Sequence, residues 1–98
     1  MRYNQYISKP LRTIGDMKDY CYKINSFISN HNAYAVYTDL DGYVYTEQIF
    51  YASVCHNIVR NRLEIEFKLT DNILNDSVLH IFPEDIGNEV HDFFIVYG

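Results

Sequence analysis

Apolar and charged side chains alternate most regularly between residues 62 and 69. Successive side chains of a strand point to opposite faces, so this alternation predicts a strand with one buried face and one face in water. Burial of each apolar side chain contributes about 1.5 to 3 kcal/mol, which suits the segment to the centre of a sheet. The apolar positions are Leu63, Ile65, Phe67 and Leu69, and the charged positions are Arg62, Glu64, Glu66 and Lys68.

A helical period comes earlier in the chain. From Thr13 onward, apolar side chains recur at steps of three and four residues, which predicts an amphipathic helix of about four turns. Thr13 suits the N-cap, and Asp16 lies in the first turn, where the helix dipole favours a negative charge. Residues 30–32 supply polar groups that end the helix. The apolar stripe is Ile14, Met17, Cys21, Ile24 and Ile28.

Two runs typical of strands follow the helix, at residues 33–38 and 43–50. Residues 39–42 read Asp-Leu-Asp-Gly, and an Asp-Gly pair suits a turn that requires a positive φ. The pattern therefore predicts a β-hairpin. Residues 51–61 are ambiguous, because Phe50, Val54 and Ile58 have helical spacing while the β-branched and aromatic content favours a strand. The strand interpretation is preferred.

The pattern of the last third predicts an antiparallel meander, followed by either a helix or a strand at the C-terminal end. Turn-forming residues at 70–72 and 75–77 flank Ile73 and Leu74, and residues 78–82 resemble a short strand. Pro83, with acidic residues after it, predicts the start of a helix. Residues 92–97 fit either the end of that helix or a terminal strand. Residues 1–9 fit an arm or an edge strand.

These elements predict an α+β fold. An N-terminal amphipathic helix packs on an antiparallel sheet of three to five strands, with a C-terminal helix or strand. The sequence has 98 residues, and two separate cores would leave each half too small to bury enough surface. We therefore expect residues 1–98 to form a single domain.

Charge and tyrosine content indicate a binding role. The net charge is −5, and residues 62–98 hold eight Asp or Glu against two Lys or Arg. Such a surface disfavours direct nucleic-acid binding and favours a basic protein partner, although a solvated acidic face explains the same pattern. The ten tyrosines offer anchors for an interface. The candidate partner-binding residues are Glu64, Glu66, Asp71, Asp76, Glu84, Asp85 and Glu89, with Tyr43 and Tyr45 from the hairpin.

Cysteine and histidine residues do not match a known metal-binding spacing. The sequence has no Cys-x-x-Cys or His-x-x-x-His pair. We therefore expect neither a metal nor a cofactor. Two distant cysteines without a signal peptide indicate reduced thiols and a cytoplasmic location, and no apolar run is long enough for a membrane span. The residues weighed as ligands are Cys21, Cys55, His31, His56, His80 and His91.

Residues 37–44, Tyr-Thr-Asp-Leu-Asp-Gly-Tyr-Val, resemble the first motif of the haloacid-dehalogenase-like phosphatases. The resemblance implies a doubly wound parallel sheet, Mg²⁺, a nucleophile at Asp39 and a general acid/base at Asp41. It covers eight residues, and Tyr43 stands where the motif has Thr or Val. A hairpin turn explains residues 39–42 without catalysis.

The chain as a whole favours a binding protein over an enzyme. In size, acidity and tyrosine content it is similar to small inhibitors such as phage anti-CRISPR or anti-restriction proteins, which evade host defence, and to toxin-immunity proteins. We therefore expect an inhibitor that occludes a basic, nucleic-acid-handling partner through protein–protein interaction. A Mg²⁺-dependent phosphatase using Asp39 and Asp41 is one alternative. A homo-oligomeric structural or assembly subunit, in the simplest case a homodimer, is another.

Overall fold

The protein has one α-helix and two antiparallel sheets in residues 2–87 and 93–98, which are the residues that the computed structural model describes. The α+β class predicted from the sequence is confirmed. The helix α1 spans Ile14–Asn30. The strands are β1 (Asn4–Tyr6), β2 (Ala33–Thr38), β3 (Val44–Ile49), β4 (Tyr51–Asn57), β5 (Arg62–Lys68), β6 (Val78–Ile81) and β7 (Phe93–Tyr97).

The strands divide into a four-stranded sheet, ordered β1-β7-β2-β3, and a three-stranded sheet, ordered β4-β5-β6. Neighbouring strands are antiparallel in both. The predicted hairpin forms β2 and β3, and the predicted meander forms β4, β5 and β6. The sequence predicted one sheet of three to five strands, whereas the strands form two sheets. The chain passes from one sheet to the other at Phe50, whose N–H donates to the carbonyl oxygen of Lys68 at 2.8 Å.

The helix begins where the sequence predicted. The Asp16 N–H donates to Oγ1 of Thr13 at 3.0 Å, and the Thr13 N–H donates to Oδ2 of Asp16 at 3.1 Å. This reciprocal pair satisfies two amide groups that helix geometry leaves without partners. The helix buries Tyr20, Cys21 and Ile24.

Helix α1 also closes one edge of the three-stranded sheet. The Asn25 side chain donates to the Ala52 carbonyl oxygen and accepts from the Ala52 N–H, both at 2.8 Å. The side-chain amide thereby replaces a neighbouring strand at this point of β4. The pair fixes how the helix lies against the sheet.

One hydrophobic core joins the helix and both sheets. The rings of Phe67 on β5 and Phe93 on β7 lie 5.7 Å apart, which places the two sheets in contact. The inner side of β5 is therefore the buried side that its alternation predicted. The other sheet residues of this core are Ala33, Ala35, Ile49, Ala52, Ile65 and Ile95.

The end of the chain differs from one of the two predictions. Pro83–Asp85 forms only one short 3₁₀ turn, and Phe93–Tyr97 is a strand, so the terminal-strand alternative is confirmed. Gly87 has φ +75°, and a Cβ there would lie 2.5 Å from the Lys9 carbonyl carbon. The N-terminal arm thus passes too close for any larger residue at position 87. Within the described residues, no helix has the length and apolar character needed to cross a membrane.

Candidate functional site

The outer face of the three-stranded sheet, which points away from the core, carries a group of ionisable side chains. Glu64 and Glu66 lie on this face of β5, between β4 and β6. Their cross-strand neighbours are Cys55, opposite Glu64, and His80, opposite Glu66. Side chains on three adjacent strands therefore converge over the middle of the sheet.

Glu64 is fully buried, at 0% exposure, although its alternation predicted a face in water. The Arg60 guanidinium donates to its Oε1 at 3.0 Å, and the Asn57 amide donates to the same oxygen at 2.8 Å. Burial raises the pKa of Glu64, but the hydrogen bonds from Arg60 and Asn57 outweigh it, so that the pKa is lowered from 4.5. A carboxylate enclosed in this way cannot be a direct contact for a partner.

His80 lies between two carboxylates. Its Nε2 is 3.1 Å from Oε1 of Glu66, and its Nδ1 is 3.5 Å from Oε2 of Glu64. The two ring nitrogens therefore face different carboxylates, and Glu64 joins His80 to Arg60 and Asn57. Glu66 keeps part of its side chain in solvent, at 25% exposure.

Neighbouring arginines neutralise two of the seven predicted acids. The Arg62 guanidinium pairs with the Glu84 carboxylate and stacks over the Phe82 ring, 4.2 Å from its centroid. The hydrogen bond from Arg62 lowers the pKa of Glu84. Glu64 and Glu84 are thus paired with arginines, and Glu66 contacts a histidine. Glu64 and Glu66 share a network through His80, and Glu84 forms a separate, partly exposed ion pair with Arg62, which differs from the acidic face in water that the sequence predicted.

Cys55 completes a group that sequence spacing did not reveal. Its Sγ, a carboxylate oxygen of Glu66 and a ring nitrogen of His80 all lie within 4.8 Å of one another. Burial, followed by the charges of Glu66 and Glu64, raises the pKa of the Cys55 thiol. The ligand-type side chains come from β4, β5 and β6, 11 and 14 residues apart in sequence. A search for short-range ligand pairs could not find them.

Two other predicted acids lie in the loop between β5 and β6, residues 70–77, which we call the 70–77 loop. Asp71 and Asp76 are exposed there. Between them, Ile73 is 91% exposed and Leu74 is 89% exposed. Two adjacent aliphatic side chains in water, between two carboxylates, make an apolar tip with an acidic border.

Hydrogen bonds close the base of the 70–77 loop and continue within it. At its base, the Leu69 N–H donates to the Ser77 carbonyl oxygen at 3.0 Å. Within it, Oδ1 of Asn72 accepts from the Leu74 N–H at 2.9 Å, and Oδ1 of Asn75 accepts from the Ser77 N–H at 3.0 Å. Such side-chain turns replace backbone bonds that a strand would make. The apolar tip is therefore presented on a structured loop.

The remaining predicted contacts are dispersed. Asp85 is half-buried in the 3₁₀ turn, and Glu89 lies outside the described residues. Tyr43 is 68% exposed beside the β2–β3 turn. Tyr45, at 42% exposure, stacks on Tyr37, with ring centroids 5.3 Å apart. The predicted partner-binding residues that the structure describes therefore do not form one patch, and the two tyrosines lie on the hairpin.

The Asp39–Gly42 segment forms the tip of the hairpin, as its turn chemistry predicted. Gly42 has φ +87°. Oδ1 of Asp39 accepts from the Asp41 and Tyr43 N–H groups, both at 2.9 Å, and Oδ2 accepts from the Tyr45 hydroxyl at 3.0 Å. Burial raises the pKa of Asp39, and these hydrogen bonds outweigh it and lower the pKa. Both carboxylate oxygens of Asp39, the nucleophile that the resemblance implies, thus accept hydrogen bonds within the hairpin.

The resemblance to phosphatases does not extend to the fold. That family implies a doubly wound parallel sheet, whereas the strand pairs of the described residues are antiparallel. The chain matches no protein-family model, and neither the curated proteins nor the solved structures show significant similarity to it. The functional argument therefore depends on the molecule's own surfaces.

Proposed function

We propose that this protein is a binding protein without catalytic chemistry, and that it docks on a basic protein partner through the 70–77 loop. The observation that carries the proposal is the exposed Ile73–Leu74 pair between the exposed Asp71 and Asp76. Covering an aliphatic side chain of this size contributes about 1.5 to 3 kcal/mol. The two aspartates favour a partner with Lys or Arg around an apolar pocket.

The hydrogen-bonded conformation of the loop supports the same role. A segment that is already ordered loses less conformational entropy on binding than a flexible one. Tyr51, at 52% exposure, lines one shallow cavity together with Asp71 and Ile73. An aromatic side chain next to an aliphatic tip supplies the desolvated anchors typical of interface centres.

The class of partner follows from charge. A partner that handles nucleic acid carries a basic groove, and an acidic protein can occlude such a groove in place of phosphate. An inhibitor of the anti-CRISPR, anti-restriction or toxin-immunity type is the specific form of this proposal. Among the predicted acids, Glu64, Glu66 and Glu84 have partners within the protein, whereas Asp71 and Asp76 are exposed on the loop.

The test is a capture experiment with matched variants. The immobilised protein is exposed to lysate of its source organism and of candidate hosts, with nuclease, and bound proteins are identified by mass spectrometry. Ile73→Ser/Leu74→Ser should abolish capture of the dominant partner. The control is Ile58→Ser/Val59→Ser, because that pair is equally exposed, at 83% and 96%, in the turn at the opposite end of β5.

Charge is tested separately in the same assay. Asp71→Asn/Asp76→Asn and added salt should each weaken capture, since both reduce electrostatic attraction. Asp19→Asn, an exposed acid on α1, is the control for either single substitution, because it also removes one charge. A partner that is retained equally by the Ile73/Leu74 variant, or that is indifferent to salt, would contradict the proposal.

Self-assembly is the second candidate function. On the outer face of the four-stranded sheet, Tyr3, Tyr34, Val36, Thr46 and Val96 line a shallow, mostly apolar groove. A symmetric interface between two copies would cover such a face. Molar mass by light scattering distinguishes the cases: a dimer that Val36→Lys returns to monomer would favour self-assembly, and a monomer would argue against it.

A further inference from the structure

We propose that the outer face of the three-stranded sheet carries a Zn²⁺ site formed by Sγ of Cys55, a carboxylate oxygen of Glu66 and Nε2 of His80. Sγ of Cys55, a carboxylate oxygen of Glu66 and a ring nitrogen of His80 lie within 4.8 Å of one another, and Nε2 is the ring nitrogen next to Glu66, 3.1 Å from its Oε1. The inference is independent of the 70–77 loop. It assigns a bound metal ion to a protein for which sequence spacing predicted none.

The ligand set suits zinc. Zn²⁺ binds thiolate, imidazole and carboxylate at about 2.0 to 2.3 Å, so two ligand atoms of a tetrahedral site lie about 3.3 to 3.6 Å apart. Nε2 of His80 and Oε1 of Glu66 are 3.1 Å apart, close to that separation. The ligands project from three paired strands, which limits the movement needed to side-chain rotation. A water molecule can supply the fourth ligand.

Glu64 gives the site its orienting group. Its Oε2 lies 3.5 Å from Nδ1 of His80, on the opposite side of the ring from Glu66. A carboxylate beside one ring nitrogen favours a proton on that nitrogen, which leaves the other nitrogen free to bind metal. Glu64 is itself fixed by Arg60 and Asn57, so the imidazole is aligned by a buried, hydrogen-bonded support.

The charge balance also favours a divalent cation. Binding releases the Cys55 thiol proton to solvent, and the thiolate and the Glu66 carboxylate then neutralise the two charges of Zn²⁺. Glu64 keeps its pairing with Arg60. Both Glu66 and His80 are partly exposed, at 25% and 29% of the side chain, which leaves a path for the ion from solvent. Since a proton is displaced, affinity should rise with pH.

The first experiment is a Zn²⁺ titration of the reduced, full-length chain against a chromophoric chelator. We expect one equivalent to bind, and Cys55→Ser or His80→Gln to weaken binding by at least about tenfold. The matched control is His56→Gln, which should bind as the unmutated protein does. His56 is next to Cys55 on β4, is exposed, and lies on the other face of the strand.

The second experiment reports the ligand atoms directly. Co²⁺ should produce a thiolate-to-metal charge-transfer absorption with the unmutated protein and none with Cys55→Ser. Glu64→Gln should keep the absorption but weaken affinity by roughly 10- to 100-fold, as expected for a group that orients a ligand. Circular dichroism of each variant without metal confirms folding. The unmutated protein's cobalt spectrum decides the question if a variant does not fold.

Either of two results would overturn the inference. One is the absence of stoichiometric Zn²⁺ binding or of the thiolate absorption with the unmutated protein. The other is a folded Cys55→Ser variant that binds Zn²⁺ as tightly as the unmutated protein. In that case the His80–Glu66 contact is an ordinary hydrogen bond.

Discussion

The two faces of β5 are both buried at their centre, but by different physical means. On the inner face, Ile65 and Phe67 are 0% exposed in an apolar core. On the outer face, Glu64 is also 0% exposed, enclosed by groups that hydrogen-bond to it. Apolar burial needs shape and area, whereas burial of a carboxylate needs specific partners. An alternating pattern therefore reports which face a side chain occupies, without reporting whether that face is wet.

The largest effect should come from the inner face. Phe67→Ala removes a fully buried ring at the contact between the sheets, and we expect the free energy of unfolding to fall by about 3 to 5 kcal/mol. Denaturant unfolding measures this directly. Lys68→Ala, an exposed position on the same strand, should change it by less than about 0.5 kcal/mol. A fully stable Phe67→Ala variant would contradict the claim that apolar burial on the inner face of β5 stabilises the protein.

The next effect should come from the centre of the outer face. Glu64→Ala leaves the Asn57 amide and the Arg60 guanidinium without their acceptor. We expect a lower denaturation midpoint than for Glu66→Ala, whose side chain keeps 25% exposure, and a higher one than for Phe67→Ala. Equal midpoints for the two glutamate variants would contradict the larger contribution assigned to the buried carboxylate.

Acid should weaken the outer face of the three-stranded sheet through Glu64. The pKa of Glu64 in the folded protein is below its ordinary value of 4.5, so its contribution is present above that value and is lost as pH falls below it. Unfolding midpoints measured from about pH 7 to about pH 3 should therefore decline more steeply for the unmutated protein than for Glu64→Gln. Asp39 and Glu84 have lowered pKa values with the same sign, so the variant should keep a smaller slope. Parallel slopes would contradict this assignment.

The smallest effect on stability should come from the 70–77 loop. Ile73 and Leu74 are almost fully exposed, so Ile73→Ser/Leu74→Ser should leave the denaturation midpoint within the range of ordinary surface substitutions, about 0.5 kcal/mol. Thermal and denaturant unfolding measure it. A marked loss of stability would mean that the pair packs in the folded protein, and it would undermine the use of this variant as a binding test.

Local features of the fold were predictable to nearly the residue. The Thr13 cap, the Asp39–Gly42 turn and the alternation of β5 each depend on neighbours within a few positions. The strand interpretation of residues 51–61 is confirmed over Tyr51–Asn57. The 3₁₀ turn at Pro83 was mistaken for a helix start, because proline and acids favour a first turn without determining whether others follow.

The candidate sites were predictable only in part. The exposure of Asp71 and Asp76 agrees with the turn chemistry around them. The enclosure of Glu64 depends on Arg60 and Asn57 in the adjoining turn and on His80 from β6, and the pairing of Glu84 depends on Arg62, 22 residues away. No local pattern reports such contacts. The apolar pair at residues 73 and 74 was visible in the sequence, but its exposure was not.

The sequence by itself determined helix α1, the β2–β3 hairpin and strand β5, because capping, turn geometry and hydrophobic period act over a few residues. Only the tertiary structure decided that the strands divide between two sheets at Phe50, that Glu64 is buried, and that Cys55, Glu66 and His80 meet. The physical reason is that strand pairing brings together side chains that are distant in sequence, and the register of those pairs determines which chemistry they share.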